Sequence, residues 1–195
     1  MAKLYFSYSA MNAGKSTSLL QVAHNYGERD MKTQLLTAAF DDRSGQVGSI
    51  SSRIGIEKEA DVFTADTDLL EFLKTALQEN PFAAVLVDEA QWLQEEQVWQ
   101  LAQFADTRHI PVMCYGIRTD FQGKLFPGSQ TLLAVADELR EIRTICHCGR
   151  KATMILRLGE DGKPVKDGPQ NLVGGNDAYV SMCRKHWLFA LGRLS

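Results

Sequence analysis

The chain has 195 residues, of which 45% are apolar and 23% are charged, and its net charge is −3. This length suits one medium domain with at most a small appendage, and the composition excludes a disordered chain. No apolar stretch reaches the roughly 18 residues that a membrane span needs, and no signal pattern opens the chain, so we expect a cytoplasmic protein without a membrane partner.

Predicted strands and helices alternate along most of the chain. Alternating aromatic and apolar residues predict a first strand at 3–8, and a helix is predicted to begin near Lys15. The polar stretch 41–61 is predicted to be a loop. The other predicted strands cover 32–38, 83–87 and 110–115, and the other predicted helices cover 69–77, 95–105 and 129–136. Short apolar strands between helices are typical of a buried parallel sheet, so the expected fold class is α/β.

The segment between the first strand and the first helix, residues 9–16, reads SAMNAGKS. Gly14, Lys15 and Ser16 match the end of the phosphate-binding pattern G-x-x-x-x-G-K-[ST], and Ser9 replaces its first glycine. In such a loop, backbone N–H groups bind phosphates, the lysine contacts the β and γ phosphates, and the serine hydroxyl binds Mg²⁺. A glycine-bearing turn with a solvated lysine is the alternative, but the strand–turn–helix context favours ATP binding. The predicted nucleotide-binding residues here are Ser9, Ala10, Met11, Asn12, Ala13, Gly14, Lys15 and Ser16.

Two adjacent acids follow the apolar strand at 83–87. A carboxylate at the end of a buried strand beside a phosphate loop usually orients magnesium, and Asp88 fits this role. Glu89 is suited to accept a proton from an attacking hydroxyl or water, although a charge favoured by a helix dipole is the alternative. The same string is typical of helicases, so a P-loop ATPase acting on nucleic acid is the alternative function. The chain holds one such domain and has an acidic balance, and both facts argue against nucleic acid as a partner.

Short β-like runs replace the alternation after about residue 140. The four residues Cys146, Cys148, Cys183 and His186 form C-x-C and C-x-x-H pairs, which suit tetrahedral Zn²⁺ in a structural site. Free buried cysteines are the alternative. We therefore predict an ATP-binding domain over 1–143 and a zinc-binding subdomain over 144–195. Cys114 is expected to be a core residue, and His147, which lies between the first two cysteines, is left out of the ligand set.

Taken in order, the motifs resemble those of the type II thymidine kinases. They are SAMNAGKST (9–17), DDR (41–43), SSR (51–53), VDEAQW (87–92), YGIRTDFQGKLFPGS (115–129), CHCGRKA (146–152) and VGGNDAYVSMCRKH (173–186). The resemblance implies transfer of the ATP γ-phosphoryl group to the 5′-hydroxyl of thymidine, with deoxyuridine as a second substrate. It also implies a RecA-like parallel sheet, a zinc-held lasso over the nucleoside, a homotetramer and feedback inhibition by dTTP.

The resemblance also assigns roles to individual residues. It makes Glu89 the general base, Asp88 the magnesium-side acid, Gln91 an ATP-side contact and Arg53 a stabiliser of phosphoryl charge. The implied thymine pocket consists of Met11, Trp92, Ile117, Phe121, Phe126, Leu172, Val173, Gly174 and Tyr179. From the sequence alone, Phe121, Phe126 and Tyr179 are equally well explained as core residues. A zinc-ribbon binding module with a non-catalytic phosphate loop is a third reading of the whole chain.

Overall fold

Six parallel strands form the central sheet in the part of the chain that the computed structural model describes, residues 2–39, 48–170 and 178–194. In chain order they are β1 (Leu4–Ser9), β2 (Thr33–Ala38), β5 (Asp61–Phe63), β6 (Ala84–Val87), β7 (Val112–Ile117) and β8 (Glu138–Glu141). Their order across the sheet is β5–β2–β6–β7–β1–β8. Because all of them are parallel, their carboxyl ends share one edge of the sheet, where ligands bind in open α/β folds.

Helices cover both faces of this sheet. They are α1 (Lys15–Gly27), α2 (Leu69–Glu79), α3 (Glu95–Arg108) and α4 (Pro127–Val135). Side chains alternate between faces along each strand, so that Leu86 packs with α1 whereas Val85 and Val87 pack with α2, α3 and α4. Burial on both faces explains the continuous apolar strands, and the predicted α/β class with a parallel sheet is confirmed.

The predicted loop at 41–61 is wrong over its described part, 48–61. Strands β3 (Ser49–Ser51) and β4 (Glu57–Glu59) pair there as an antiparallel hairpin, and β5 begins at Asp61. Only Ile50 of the hairpin is an apolar anchor, 2% exposed, while all three residues of β4 are exposed. A polar hairpin with one anchor gives little periodic signal, which is why the sequence pattern did not predict it.

The last part of the described chain consists of two small antiparallel sheets and one helix. Strand β9 (Thr144–Ile145) pairs with β10 (Lys151–Ala152), and β11 (Met154–Arg157) pairs with β12 (Tyr179–Met182), which precedes α5 (Arg184–Ala190). From α5, the Trp187 indole donates hydrogen bonds to the carbonyl oxygens of Phe121 at 3.2 Å and Ile155 at 3.0 Å. These bonds join α5 to the chain after β7. The division of the chain between residues 143 and 144 stays a prediction.

Among the described residues, we find no helix that has both the length and the apolar character required of a membrane span.

Candidate active site

The loop after β1 has the geometry of a phosphate-binding nest. It leaves the strand at Ser9 and enters α1 at Lys15. Two of its residues have left-handed backbone angles, Asn12 with φ +61° and Gly14 with φ +82°. Such turns bring successive N–H groups to one side, and the N-terminus of α1 adds its partial positive charge. The loop therefore presents an anion-binding surface at the carboxyl edge of the sheet.

Lys15 and Ser16 carry the polar side chains of this surface. The Lys15 side chain is buried, with 8% of the residue exposed, and its Nζ lies 3.5 Å from the carbonyl oxygen of Ala10. The Ser16 hydroxyl donates a 2.7 Å hydrogen bond to Oδ2 of Asp88, which directly follows β6. The phosphate loop and the acidic strand end, 72 residues apart in sequence, thus meet.

Asp88 lies in an environment that opposes its charge. The residue is 1% exposed. Burial, followed by the neighbouring Glu89 charge, raises the pKa of Asp88 to about 6, while the Ser16 hydrogen bond and the Lys15 charge lower it. A buried carboxylate of this kind is stabilised by a cation, and a hydroxyl and a carboxylate oxygen are ligands that Mg²⁺ accepts.

The next residue, Glu89, has an unusual backbone conformation. Its φ of +52° is in the left-handed region, which is costly for a side chain other than glycine and is often found at functional sites. This turn begins a 3₁₀ helix at Ala90–Trp92, and Glu89 lines the cleft described below. The strained backbone of Glu89 agrees with its prediction as a general base, because a catalytic group must be held in position.

Gln91 connects Glu89 to the end of β7. Its amide nitrogen donates to Oε2 of Glu89, and its amide oxygen accepts a 3.0 Å hydrogen bond from the backbone N–H of Ile117. Gly116 allows this close approach, because a Cβ there would lie 2.9 Å from the Gln91 amide oxygen. Gln91, with 2% of the residue exposed, therefore contacts the Glu89 carboxylate with an amide that is itself fixed by the Ile117 N–H.

A cleft of about 280 Å³ brings some of the predicted nucleotide residues together, but Ser9, Ala10, Met11, Asp88 and Gln91 are not among its lining residues. The cleft is bounded by residues 12–17, by Glu89, and by Arg53, which follows β3. Its lining is Asn12, Ala13, Gly14, Lys15, Ser16, Thr17, Ser51, Ser52, Arg53 and Glu89. Lys15 and Arg53 supply positive charge to this cleft, and Glu89 supplies a carboxylate. Ser16 adds a hydroxyl that is bonded to the buried Asp88. Phosphoryl transfer needs groups of these kinds.

The predicted nucleoside residues lie in several places. Trp92 and Phe126 form an edge-to-face pair with centroids 5.0 Å apart and an interplanar angle of 74°, next to the acidic turn. Phe121 is 2% exposed under the Arg157 guanidinium, 5.1 Å from its ring centre, and Tyr179 begins β12. Leu172, Val173 and Gly174 lie outside the described residues, as does the DDR motif at 41–43. Contact of the described members of this set with a nucleoside stays a prediction.

Sequence reasoning missed two residues near this site. The Asp120 carboxylate accepts backbone hydrogen bonds from Gln122 and Lys124, at 2.9 and 2.8 Å, and a 2.9 Å bond from the Gln170 amide. An aspartate followed by a glycine three positions later is a turn signal that would have found the first two bonds. The other residue is Ser181, whose hydroxyl contacts the phosphate loop and which no local pattern marks.

The predicted metal ligands form one compact cluster. The Sγ atoms of Cys146, Cys148 and Cys183 and one ring nitrogen of His186 lie within 4.8 Å of one another. Three of the separations are 3.3, 3.6 and 3.9 Å. Ligands at about 2.3 Å for sulfur and 2.0–2.1 Å for nitrogen around one tetrahedral zinc ion lie roughly 3.5–3.8 Å apart, so this donor set fits Zn²⁺.

The surroundings of this cluster also favour the metal-binding form of the Cys146 side chain. Burial raises the pKa of the Cys146 thiol, but N–H groups of Cys148 and Cys183 and the His186 side chain outweigh it and lower that pKa to about 6. A thiolate is the form that binds metal. His147 stacks on His186 with ring centres 4.3 Å apart, and its Nδ1 is 3.6 Å from the Cys146 sulfur.

Comparison with known proteins agrees with this geometry. A family model described as thymidine kinase matches residues 2–187. The chain belongs to the thymidine kinase family. It is 62% identical over 192 residues to a thymidine kinase of Jannaschia sp. strain CCS1, covering 98% of each chain. It is 62% identical over 188 residues to one of Agrobacterium fabrum, with 96% of this chain and 97% of that one covered, and 57% identical over 193 residues to one of Vibrio cholerae, covering 99% and 100%. The predicted family is confirmed.

The raised pKa of Asp88 predicts a pH-dependent stability change. Because the folded-state pKa, about 6, exceeds the ordinary value of 3.8, the wild type loses stability as pH rises from about 4 to about 6. Asp88→Asn stays neutral, so without nucleotide and magnesium it should be more stable than wild type, by about 3 kcal/mol above pH 6. Urea unfolding between pH 4.5 and 8 measures this difference. Asp106→Asn on the exposed face of α3 is the control, and a difference for Asp88→Asn that does not change with pH would contradict the account.

Proposed function

We propose that this protein transfers the γ-phosphoryl group of ATP to the 5′-hydroxyl of thymidine, and of deoxyuridine, giving dTMP for DNA synthesis by nucleoside salvage. The observation that carries the proposal is the convergence of the phosphate loop, Asp88 and Glu89, seen in the 2.7 Å bond from Ser16 to Asp88 and in the cleft shared by Lys15 and Glu89. The thymidine kinases to which the chain is similar supply the nucleoside class.

The charged groups around the cleft fit the triphosphate. Backbone N–H groups of residues 12–16 and the Lys15 ammonium group would bind the β and γ phosphates. Ser16 and Asp88 would hold Mg²⁺, which supplies neutralisation of phosphate charge. The Arg53 guanidinium enters the same cleft from the β3–β4 hairpin and would stabilise charge on the transferred group.

Glu89 is the proposed general base. As the 5′-oxygen forms its bond to the γ phosphorus, the bond from that phosphorus to the oxygen bridging it to the β phosphate breaks, and ADP leaves. The hydroxyl proton passes to the Glu89 carboxylate. The Gln91 amide, fixed by the N–H of Ile117, orients that carboxylate in addition to its proposed place on the ATP side.

The proposed nucleoside pocket begins at the acidic turn and continues toward β12. Trp92, Phe126 and Ile117 lie next to Glu89 and Gln91, so a base stacked near them would place its sugar at the general base. Met11 and Tyr179 would form the opposite side, with Phe121 behind. Residues 172–174, although outside the described residues, remain proposed contacts of the thymine edge.

The wider assignments follow from the family and from the metal cluster. We propose a structural Zn²⁺ at Cys146, Cys148, Cys183 and His186, because the donor set is complete at four protein ligands. A cytoplasmic homotetramer that dTTP inhibits, and that has neither nucleic acid nor membrane as partner, completes the proposal.

An ADP-release assay with a panel of acceptors tests this function. We expect ATP consumption when thymidine or deoxyuridine is added, and no stimulation by single-stranded DNA, duplex DNA or RNA. The alternative, a P-loop ATPase acting on nucleic acid, predicts the opposite pattern in the same plate. Stimulation by a polynucleotide without response to any nucleoside would refute the proposed function, and thymidine phosphorylation would exclude a non-catalytic zinc-ribbon module.

A further inference from the structure

Three side chains on one face of β12 and of the residue that follows it belong to three different sites. Side chains alternate along an extended strand, so Tyr179, Ser181 and Cys183 project to the same side. The backbone remains extended at Cys183, with φ −70° and ψ 154°, where α5 begins. Cys183 belongs to the metal cluster, Ser181 contacts the phosphate loop, and Tyr179 belongs to the proposed nucleoside pocket.

Ser181, the middle one of these three residues, forms a hydrogen bond with the phosphate loop. The Ser181 hydroxyl donates a 2.5 Å hydrogen bond to the carbonyl oxygen of Met11, 170 residues earlier in the chain. Met11 is half-buried and lies three residues before Gly14. The Ser181 hydroxyl thus bonds to a residue far away in the sequence, in the backbone of the loop that would hold the triphosphate.

This bond fixes the orientation of a peptide group. No described peptide bond of the chain is cis, and in a trans peptide the carbonyl oxygen and the following N–H point in opposite directions. Holding the Met11 oxygen against β12 therefore turns the N–H of Asn12 away from β12. Asn12, with its left-handed φ of +61°, lines the cleft, so an N–H turned away from β12 would serve the side of the loop where we propose that phosphates bind.

We propose that Ser181 is a positioning residue for the phosphate loop and couples the metal-held strand to nucleotide affinity. Metal ligation at Cys183 would anchor the chain two residues after Ser181, and antiparallel pairing with β11 places Ser181 opposite Ile155. The strand is therefore a rigid support from which one hydroxyl sets the Met11–Asn12 peptide. The inference rests on the proposed nucleotide-binding role of the loop and adds to it a residue outside the loop.

Replacing the hydroxyl separates positioning from folding. Ser181→Ala should weaken ADP and ATP binding, measured by calorimetry without nucleoside, by roughly three- to tenfold, the usual effect of one hydrogen bond. The KM for ATP should rise by a similar factor while the KM for thymidine changes less than twofold. Ser181→Thr keeps a hydroxyl and suits a strand, so it should restore most of the affinity.

A matched control removes the same kind of bond elsewhere. Thr107→Ala deletes a 2.7 Å hydroxyl bond to the carbonyl of Gln103 on the exposed face of α3 and should leave nucleotide affinity unchanged. Unchanged nucleotide affinity in Ser181→Ala, with zinc content at the wild-type level, would overturn the inference. So would a loss that Ser181→Thr does not restore. Nucleotide binding is measured without an acceptor, so this outcome is independent of whether thymidine is the substrate.

Discussion

Glu89→Gln should bind ATP with near wild-type affinity and lose about 10²- to 10⁴-fold of its turnover with thymidine, the range for removing a general base. The substitution keeps the shape of the side chain and removes its ability to take a proton. Because Glu89 faces the cleft while Ser16 and Asp88 form their own contact, nucleotide binding should survive. Calorimetry with ATP and steady-state kinetics at saturating thymidine measure the two effects.

The matched control is Glu96→Gln in the exposed first turn of α3, which changes charge equally and should leave turnover unchanged. Turnover of Glu89→Gln within threefold of wild type would remove Glu89 from the role of base. A joint loss of ATP binding and turnover would instead place Glu89 among the groups that hold the nucleotide. Both outcomes can be read from the same two measurements.

Loss of the metal is the second large effect that we expect. Cys148→Ser removes one of the four ligands from the cluster, and a metal-binding free energy that supports folding is then lost. We expect zinc content to fall from one ion per chain to near zero, and Tm to fall by at least about 10 °C, the change produced by several kcal/mol in a domain of this size. Atomic absorption and differential scanning calorimetry provide the readouts.

His147→Ala is the control for this experiment. His147 stacks on His186 and lies near the Cys146 sulfur, but the four-residue cluster is complete without it. The variant should keep one zinc ion per chain and lose little in Tm. If His147→Ala lost the metal and Cys148→Ser kept it, the proposed ligand set would be wrong. Retention of zinc and Tm by Cys148→Ser alone would show that the cluster is not a metal site.

The parts of the site that the sequence predicted depend on short segments and on one topological rule. A strand, a glycine-bearing loop and a helix follow one another at 4–27, so local pattern was enough to place the phosphate loop. Asp88 was then expected nearby because carboxyl ends of parallel strands share an edge, and its bond to Ser16 bears this out. The paired spacing of the cysteines and His186 likewise predicted a cluster that the structure assembles.

The parts that were not predicted depend on contacts between distant segments. Strand β8 has the polar sequence ELRE and joins the sheet by pairing with β1 alone among the described strands, so it carries no buried apolar pattern. The β3–β4 hairpin is held by one buried apolar side chain, Ile50. The bond from Ser181 to Met11 exists because β12 reaches the phosphate loop in the folded chain, and a single serine in a strand gives no sign of such a partner.

The most direct test of the central claim follows the γ-phosphoryl group itself. Wild-type protein is incubated with ATP labelled at the γ phosphorus, Mg²⁺ and thymidine, and the labelled products are separated and counted. If Lys15, Asp88 and Glu89 act together on one triphosphate beside a nucleoside, the label should appear in 5′-dTMP. One labelled dTMP should form for each ADP. Label recovered as inorganic phosphate, with thymidine unchanged, would contradict the account.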